Sequence, residues 1–143
     1  MNITIEDAKI QDIQTMLAWG THERAFLVRE NGHWYSKDTL VSWIQDLRDD
    51  IALIARDGEI PIGMCLTHVL RDWAYCAALY VDVAYRKQGI GLLLLDETQK
   101  RLKGKGIHSL AFLVQDGSDE LISYYAKRGF KSGFKFVWMD KKF

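Results

Sequence analysis

Residues 79–91 read LYVDVAYRKQGIG, an apolar run that passes into a basic, glycine-rich loop. The apolar part belongs to a β-strand predicted for residues 74–83, and residues 92–103 predict a helix with a wide buried face. A loop that follows a strand and opens a helix presents backbone N–H groups at the positive end of the helix dipole, without partners in the helix. The segment is therefore predicted to bind an anion.

The residue types in this loop favour phosphate as the anion. Gly89 permits a phosphate to approach the backbone closely, and Arg86 and Lys87 add positive charge. Gly91 is expected to leave room where the helix and the strand meet. The sequence lacks both the third glycine of the dinucleotide fingerprint and the G-x-x-x-x-G-K-[ST] string. The loop thus predicts a phosphate site of another kind, with a purely structural turn as the alternative.

The remaining periodicities predict the element order β-α-α-β-β-β-α-β-α-β. Turn residues at 57–59 and 71–72 join three strands into an antiparallel meander, and a βαβ crossover follows it. The class is therefore α/β or α+β, a three-layer fold with a mixed sheet of about six to seven strands and about four helices. The predicted strands are 2–5, 51–56, 62–70, 74–83, 109–114 and 134–139, and the helices begin near Glu6, Ser36, Leu92 and Ser118.

Length and composition predict one globular domain over residues 1–143, since 143 residues of which 48% are hydrophobic are too few for two ordinary domains. The apolar stretches fall far below the roughly 20 residues that a membrane-spanning helix needs. Residues 1–7 show no basic region followed by an apolar one, so no signal peptide is expected. These features predict a cytoplasmic location.

The formal net charge is zero, which argues against a general nucleic-acid or anionic-membrane binder. Residues 1–60 contain 6 Lys and Arg against 11 Asp and Glu, whereas residues 61–143 contain 13 against 8. Chance scatter of surface charge is one interpretation. The other is an anionic ligand on the second half and a cationic ligand facing the first.

Cysteines and histidines give no sign of a metal site. Cys65 and Cys76 are separated by ten residues, and the histidines at 22, 33, 68 and 108 lack metal-ligand spacing. Two buried, reduced thiols are expected. If residues 71–72 turn a hairpin, the two cysteines become diagonal neighbours on adjacent strands.

The stretch 79–91 resembles the acyl-coenzyme-A signature R/Q-x-x-G-x-G/A of the GCN5-related N-acetyltransferase (GNAT) superfamily, with the apolar strand that precedes it. Residues 125–130, YAKRGF, resemble that family's Y-x-K-x-G-F segment, and the element order is similar to the family's fold along nearly the whole chain. Val83 stands where many members have proline, and Ser118 where many have an asparagine that touches the pantetheine arm. Neither departure removes a backbone donor, so cofactor binding is expected to survive both.

The resemblance implies acetyl-CoA as co-substrate. Backbone groups of Val81 and Val83 would hold the thioester and pantetheine like an added strand, and the loop 88–92 would cradle the pyrophosphate. The residues implied in cofactor binding are Val81, Val83, Arg86, Lys87, Gln88, Gly89, Ile90, Gly91, Leu92 and Ser118.

Acetyl transfer requires a neutral amine, stabilisation of the charge that develops on the carbonyl oxygen, and a proton for the leaving thiolate. By resemblance, the Val81 N–H is the candidate donor to that oxygen. Tyr125 is the candidate acid, because a phenol with a pKa of about 10 can protonate a thiolate whose thiol has a pKa of about 8.5. Adjacent helical residues point about 100° apart, so only one of Tyr124 and Tyr125 is expected to face the cofactor.

The sequence does not identify the general base. Asp82, His68, His22 and Glu23 are candidates, each of a type more often found in packing or at the surface. By resemblance, the acceptor site lies between the first two helices and the cofactor-binding strands. The aromatic residues expected near it, which suit an apolar group or a cationic amine, are Trp19, Phe26, Trp34, Tyr35 and Trp73.

The predicted function is acetyl transfer from acetyl-CoA to a primary amine of a small molecule, by direct attack in a ternary complex. Two alternatives stay open: acetylation of a protein or peptide, and a non-catalytic acyl-CoA-binding sensor. Family members that act on protein N-termini often carry a glutamate where this chain has Leu113, which weakens the first alternative. The expected partner is a small amine, with neither nucleic acid nor membrane; the acceptor, the acyl chain and the choice between monomer and homodimer stay open.

Overall fold

The computed structural model describes residues 1–27 and 34–143, so His33 and the middle of the long loop predicted at 21–35 lie outside the described residues. The described residues form five strands and four α-helices, linked in places by 3₁₀ turns. In chain order they are β1 (Ile3–Asp7), α1 (Ile13–His22), α2 (Lys37–Gln45), β2 (Ile51–Asp57), β3 (Ile60–Leu70), β4 (Trp73–Val81), α3 (Ile90–Gly104), β5 (Leu110–Ala111) and α4 (Asp119–Ala126).

The strands form one mixed sheet in the order β1-β2-β3-β4-β5. The first four are antiparallel neighbours, and the hairpin predicted at 71–72 is confirmed by the pairing of Leu70 with Trp73. β5 runs parallel to β4 and pairs only with Ala74 and Tyr75. Within the described part of the chain, the rest of that edge of β4 therefore has no neighbouring strand, and this open edge positions the site.

The sheet separates two apolar cores, which confirms the three-layer arrangement. α3 packs with Leu53 and Cys65 on one face, where side chains from α4 join it. α1 and α2 pack with Ile54 and Leu66 on the other face. Neighbouring strand residues enter different cores because successive side chains of a strand point to opposite faces.

The strand predicted at 134–139 is wrong, and the strand predicted at 109–114 is reduced to Leu110–Ala111. The side chains of Phe134, Phe136 and Met139 are almost fully exposed, and no strand forms in residues 131–143. Apolar, β-branched and aromatic content favours an extended backbone, but a strand also needs a hydrogen-bonding edge beside it. With β5 only two residues long, the structure offers little such edge to the last segment.

The helix predicted from Glu6 begins later than expected. Glu6 and Asp7 extend β1 by pairing with β2, and α1 starts at Ile13 after a 3₁₀ turn at Ile10–Asp12. The buried Arg56 of β2 explains this geometry, because it is paired with the Glu6 carboxylate and donates to both carboxylate oxygens of Asp12 at 2.7 and 2.9 Å. A buried guanidinium requires such partners, and these fix the start of the chain against the sheet.

The two cysteines are buried, free and adjacent, as the hairpin predicts, with their sulfur atoms 3.7 Å apart across β3 and β4. In residues 1–27 and 34–143, no group of three or more His, Cys, Asp or Glu side chains lies close enough to hold a metal ion. The described helices include none that combines the length and apolarity needed to cross a membrane.

Candidate active site

A cleft of about 360 Å³ lies beside the C-terminal half of β4. Residues 79–81 of β4 form one wall, and residues 85–87 and 89–92 form the floor. Side chains of α4 form the opposite wall, and the 3₁₀ turn at Arg24–Phe26 reaches the rim. Segments that are distant in sequence thus meet at the open edge of the sheet.

The backbone of β4 presents hydrogen-bonding groups to this cleft. The Asp82 N–H donates to Ile62 O of β3 at 2.8 Å, so the backbone groups of Asp82 face β3. Because that direction alternates along a strand, the N–H and C=O of Val81 and of Leu79 face the open edge. Val81 O accepts a 2.8 Å hydrogen bond from Arg86 Nε on that side. Val81 therefore presents its backbone groups to the cleft, and Leu79 does so two residues earlier on the strand.

The first turn of α3 contributes further donors. The first helical hydrogen bond runs from Leu93 N–H to Gly89 O at 3.1 Å, which leaves the N–H groups of Ile90, Gly91 and Leu92 without acceptors in the helix. Gly89 has a φ of 81° and lacks a side chain that could cap these groups. The three amides and the helix dipole thus meet at the cleft floor, in an arrangement that suits an anion.

Gly91 does not have the packing role expected of it. A Cβ atom at this position would lie 3.8 Å from Val81 Cγ2, which is an ordinary van der Waals distance. Helix and strand therefore do not meet closely enough to require glycine. The finding agrees with the signature quoted above, which permits alanine at this position.

α4 lines the cleft with Leu121, Tyr124 and Tyr125. Both adjacent tyrosines line the cleft, although only one of them is expected to face the cofactor. Their positions follow the i, i+3, i+4 pattern, and a helical face of that pattern is wide enough to include two adjacent residues. The two rings differ in setting: Tyr125 packs on Phe112, whereas Arg128 lies over the Tyr124 ring at 3.6 Å.

Tyr125 is the better-protected of the two phenols. Its ring lies 4.6 Å from that of Phe112 and 5.7 Å from that of Phe130. Burial, with smaller contributions from Cys76, Tyr124 and Cys65, raises the pKa of Tyr125 to about 12. The phenol is therefore protonated throughout the neutral pH range, which is the state an acid needs.

The structure brings most of the predicted cofactor residues together and leaves three aside. The strand predicted to reach Val83 ends at Val81, because a 3₁₀ turn at Val83–Tyr85 begins there, and Val83 is 70% exposed. Gln88 and Ser118 also lie outside the cleft lining. The predicted residues that line it are Val81, Arg86, Lys87, Gly89, Ile90, Gly91, Leu92 and Tyr125.

Four of the five aromatic residues expected at the acceptor side, Trp19, Phe26, Trp34 and Tyr35, form a connected series of rings together with Tyr80. Phe26 and Tyr80 line the cleft, with ring centroids 6.2 Å apart. Trp19 packs behind Tyr80 at 5.2 Å, and Trp34 stacks on Phe26 at 5.8 Å. Trp73 lies at the far hairpin of the sheet, away from the cleft, because β4 begins there and the cleft lies at its other end.

The candidate bases fall into different settings. Asp82 accepts from the Ala84 N–H at 3.0 Å and so caps the turn after β4. His68 lies 2.9 Å from the Tyr35 hydroxyl and 3.2 Å from Asp50 Oδ2, outside the cleft lining. His22 ends α1 and is also outside it. Glu23 is the one of the four that lines the cleft, where its carboxylate is 3.4 Å from Arg86 Nη2.

Several lining residues have no counterpart among the sequence candidates. Leu79 is detectable in retrospect, since it stands two residues before Val81 on the same strand. Leu121 stands four residues before Tyr125, at helical spacing. Tyr80 carries no comparable signal, because its side chain packs in the opposite core and reaches the cleft only at the sheet edge.

Known proteins resemble this chain over nearly its whole length. Residues 13–130 match the family model described as the acetyltransferase (GNAT) family. A curated relative, the spermidine N(1)-acetyltransferase of Thermoplasma acidophilum, is 27% identical over 168 aligned positions, which cover 100% of this chain and 99% of that protein.

Two solved structures share the fold. The PaiA N-acetyltransferase of Thermoplasma acidophilum, in complex with coenzyme A, has a TM-score of 0.72 and 26% identity, covering 92% of this chain and 91% of that one. The ribosomal-protein-S18-alanine N-acetyltransferase of Escherichia coli has a TM-score of 0.74 and 20% identity, covering 93% of this chain and 80% of that one. The predicted fold class is thereby confirmed.

Proposed function

Because the chain belongs to the acetyltransferase (GNAT) family, we propose that it transfers the acetyl group of acetyl-CoA to a primary amine of a small molecule, by direct attack in a ternary complex. One observation carries the proposal: the outward backbone groups of Val81 and the free amides of Ile90, Gly91 and Leu92 line the same cleft. Coenzyme A has the corresponding two parts in one molecule, an extended arm with amide groups that suits the strand edge and a diphosphate that suits the helix amides.

The residues present suit this co-substrate. The N–H groups at the start of α3, with Lys87 and Arg86 beside them, provide donors and positive charge for a diphosphate. Leu79 and Val81 provide backbone groups with the spacing of an added strand, which suits the amides of pantetheine. Acetyl-CoA would supply the activated acyl group, as a thioester.

Two groups of the chain would then assist the reaction, one by stabilising negative charge and the other by donating a proton. The Val81 N–H is the donor for the negative charge that develops on the acetyl oxygen as the amine nitrogen attacks. As the new C–N bond forms and the C–S bond breaks, the Tyr125 hydroxyl gives its proton to the departing thiolate. The amine reacts in its neutral form, so its proton leaves to solvent or to a basic side chain.

A small acceptor is supported by the walls of the cleft and by the relatives. Phe26, Tyr80 and Glu23 enclose its acceptor side with two rings and one carboxylate. The relative from Thermoplasma acidophilum is named for the polyamine spermidine. Leu113, which is 64% exposed, supplies no carboxylate where many enzymes for protein N-termini have one.

The proposal is tested by incubating the protein with acetyl-CoA and a panel of amines, amino acids and peptides while the release of free thiol is followed. The expected result is thiol release that requires both substrates and is faster with small amines than with peptides. Initial rates with both concentrations varied should give intersecting lines in reciprocal plots, as a ternary complex requires.

Two results would contradict the proposal in different ways. Thermal stabilisation by acetyl-CoA without thiol release from any amine would favour the sensor. Release with peptides alone would favour protein acetylation.

A further inference from the structure

The guanidinium of Arg86 occupies a corner of the cleft that is built to hold a cation. Its Nη2 atom is 3.4 Å from Glu23 Oε2, and its Cζ atom lies 5.3 Å from the centroid of the Tyr80 ring. Its Nε atom donates to Val81 O at 2.8 Å. The Glu23 carboxylate, which follows α1, thus converges with the Tyr80 ring and the Val81 carbonyl oxygen of β4 on one positive group, and each of the three attracts cations.

Arg86 also belongs to the loop that is proposed to bind the diphosphate. The guanidinium cannot stay in the corner and also bind the diphosphate. In the corner it occupies Val81 O, which is the group that the pantetheine arm is expected to use. Its side chain is 45% exposed and the contact with Glu23 is long, and ion pairs of this kind contribute little. A charge-assisted bond from arginine to a diphosphate is stronger. Coenzyme binding is therefore expected to draw the guanidinium out of the corner.

Among the described residues, departure of Arg86 leaves Glu23 without a cationic partner. The one hydrogen bond that Glu23 keeps within them is accepted by its Oε1 from the Ala25 N–H at 3.2 Å. Within residues 1–27 and 34–143, Arg86 is the one cationic side chain that contacts the carboxylate. The emptied corner then presents a carboxylate and the Tyr80 and Phe26 rings to the acceptor side of the cleft.

We propose that Glu23, Tyr80 and Phe26 form a subsite for a second positive charge on the acceptor, which Arg86 fills until coenzyme A binds. The subsite holds a different nitrogen from the one that reacts, because the reacting amine must be neutral. The acceptor is therefore a diamine or polyamine, and its binding is coupled to that of the coenzyme. This inference rests on the proposed function and adds a substrate class and a binding order to it.

The test is calorimetric titration with 1,4-diaminobutane and with butylamine, each in the presence and absence of unacetylated coenzyme A. With the wild-type protein, coenzyme A is expected to tighten diamine binding at least tenfold, and the diamine to bind at least tenfold more tightly than the monoamine. Glu23→Gln should abolish that preference. Glu59→Gln is the matched control, since Glu59 is exposed in the β2–β3 turn and lines no part of the cleft.

Arg86→Gln gives an effect that a purely structural role for Glu23 would not produce. The substitution removes the guanidinium from the subsite. The diamine should therefore bind to the variant in the absence of coenzyme A at least as tightly as it binds to the wild-type protein in the presence of coenzyme A. Binding of coenzyme A itself should weaken. The inference is overturned if Glu23→Gln keeps the diamine preference, or if diamine affinity in the wild type is the same with and without coenzyme A.

Thiol release separates this inference from the proposed function. Release from butylamine with an unchanged diamine preference in Glu23→Gln would leave the proposed function and overturn the subsite. A coenzyme-dependent diamine preference that Glu23→Gln abolishes, without thiol release from any amine, would support the subsite and overturn the proposed reaction. A large fall in turnover for both amines in Glu23→Gln, with unchanged diamine affinity, would make Glu23 a base instead.

Discussion

Tyr125 combines burial with access to the cleft, which makes it the phenol suited to protonate a leaving thiolate. Tyr125→Phe removes the proton and keeps the ring that packs on Phe112. We expect turnover to fall by roughly 10- to 1,000-fold, the range of general-acid contributions, with little change in the affinity for acetyl-CoA. Steady-state kinetics and calorimetry measure the two quantities separately.

Tyr124→Phe is the matched control, because Tyr124 lines the same cleft but its ring lies under Arg128. A larger loss from Tyr124→Phe than from Tyr125→Phe would transfer the role of acid to Tyr124. Since the pKa of Tyr125 is raised to about 12, its ionisation should not reduce the wild-type rate below about pH 11. A fall in rate between pH 8 and 10 that disappears in Tyr125→Phe would contradict this assignment.

The ionised Glu6 carboxylate should stabilise the folded protein at neutral pH and lose this effect in the acid range. The hydrogen bond from Arg56 lowers the pKa of Glu6 below its ordinary value of 4.5, against the opposing effect of burial. The contribution of Glu6 to the free energy of unfolding is therefore complete above the pKa that Glu6 has in the unfolded chain. It is lost as the pH falls through the lower pKa that Glu6 has in the folded protein. Urea unfolding should show Glu6→Gln less stable than wild type at pH 7, with the difference shrinking below about pH 4.5.

Glu59→Gln provides the comparison for this effect, because Glu59 is exposed and makes no ion pair in the described residues. A wild-type advantage over Glu6→Gln that is unchanged down to pH 3 would show that the pair with Arg56 is not formed in solution.

At the scale of single residues, the sequence predicts those site residues that belong to a local motif. The basic, glycine-rich loop between a strand and a helix indicates Gly89 and Lys87, the resemblance to the family's Y-x-K-x-G-F segment indicates Tyr125, and the structure places all three in the cleft. The contact between Glu23 and Arg86 could not be predicted, because the two residues are 63 positions apart and only the folded sheet brings them together.

At the scale of elements, the turn that starts α3 depends on the left-handed backbone of Gly89, whose φ is 81°. Gly89→Ala places a Cβ on that backbone, which costs about 1–2 kcal/mol of stability, and shifts the amides that follow. We expect weaker coenzyme A binding, measured by calorimetry. Gly58→Ala is the control, since Gly58 has a φ of 60° in the β2–β3 turn and equally open surroundings. Equal coenzyme affinity in the two variants would contradict the assigned role of this turn.

Contact between α1 and Trp34 depends on Gly20. A Cβ atom at Gly20 would lie 1.9 Å from Trp34 Cε3, so Gly20→Ala must displace the ring that stacks on Phe26. We expect lower stability and altered tryptophan fluorescence, although alanine ordinarily favours a helix over glycine. Gly104→Ala in α3 is the control, because a Cβ there meets nothing within 4 Å. A Gly20→Ala variant as stable as Gly104→Ala would show that Trp34 does not pack on α1.

Elements were predictable where local pattern and pairing agree. The meander at 51–81 has apolar strand segments and clear turn residues, and its hairpins form as expected. The segment at 134–139 has strand propensity without a partner edge, and it forms no strand. Propensity is a property of the segment, whereas a hydrogen-bonding edge is a property of the sheet.

At the scale of the whole molecule, the opposite charges of the two halves of the chain meet in one cleft. Its floor comes from the basic second half and carries Arg86 and Lys87, whereas Glu23 comes from the acidic first half. An anionic co-substrate would therefore face the basic side of the cleft, and a cationic acceptor would face its acidic side.

Calorimetric titration of the folded protein with coenzyme A, and separately with pantetheine, tests the central claim that the α3 amides bind a diphosphate. We predict one coenzyme A bound per chain, and pantetheine binding weaker by at least roughly tenfold, or about 1.4 kcal/mol, because it lacks the diphosphate. Absence of coenzyme A binding at millimolar concentration, or equal affinity for the two ligands, would contradict the claim.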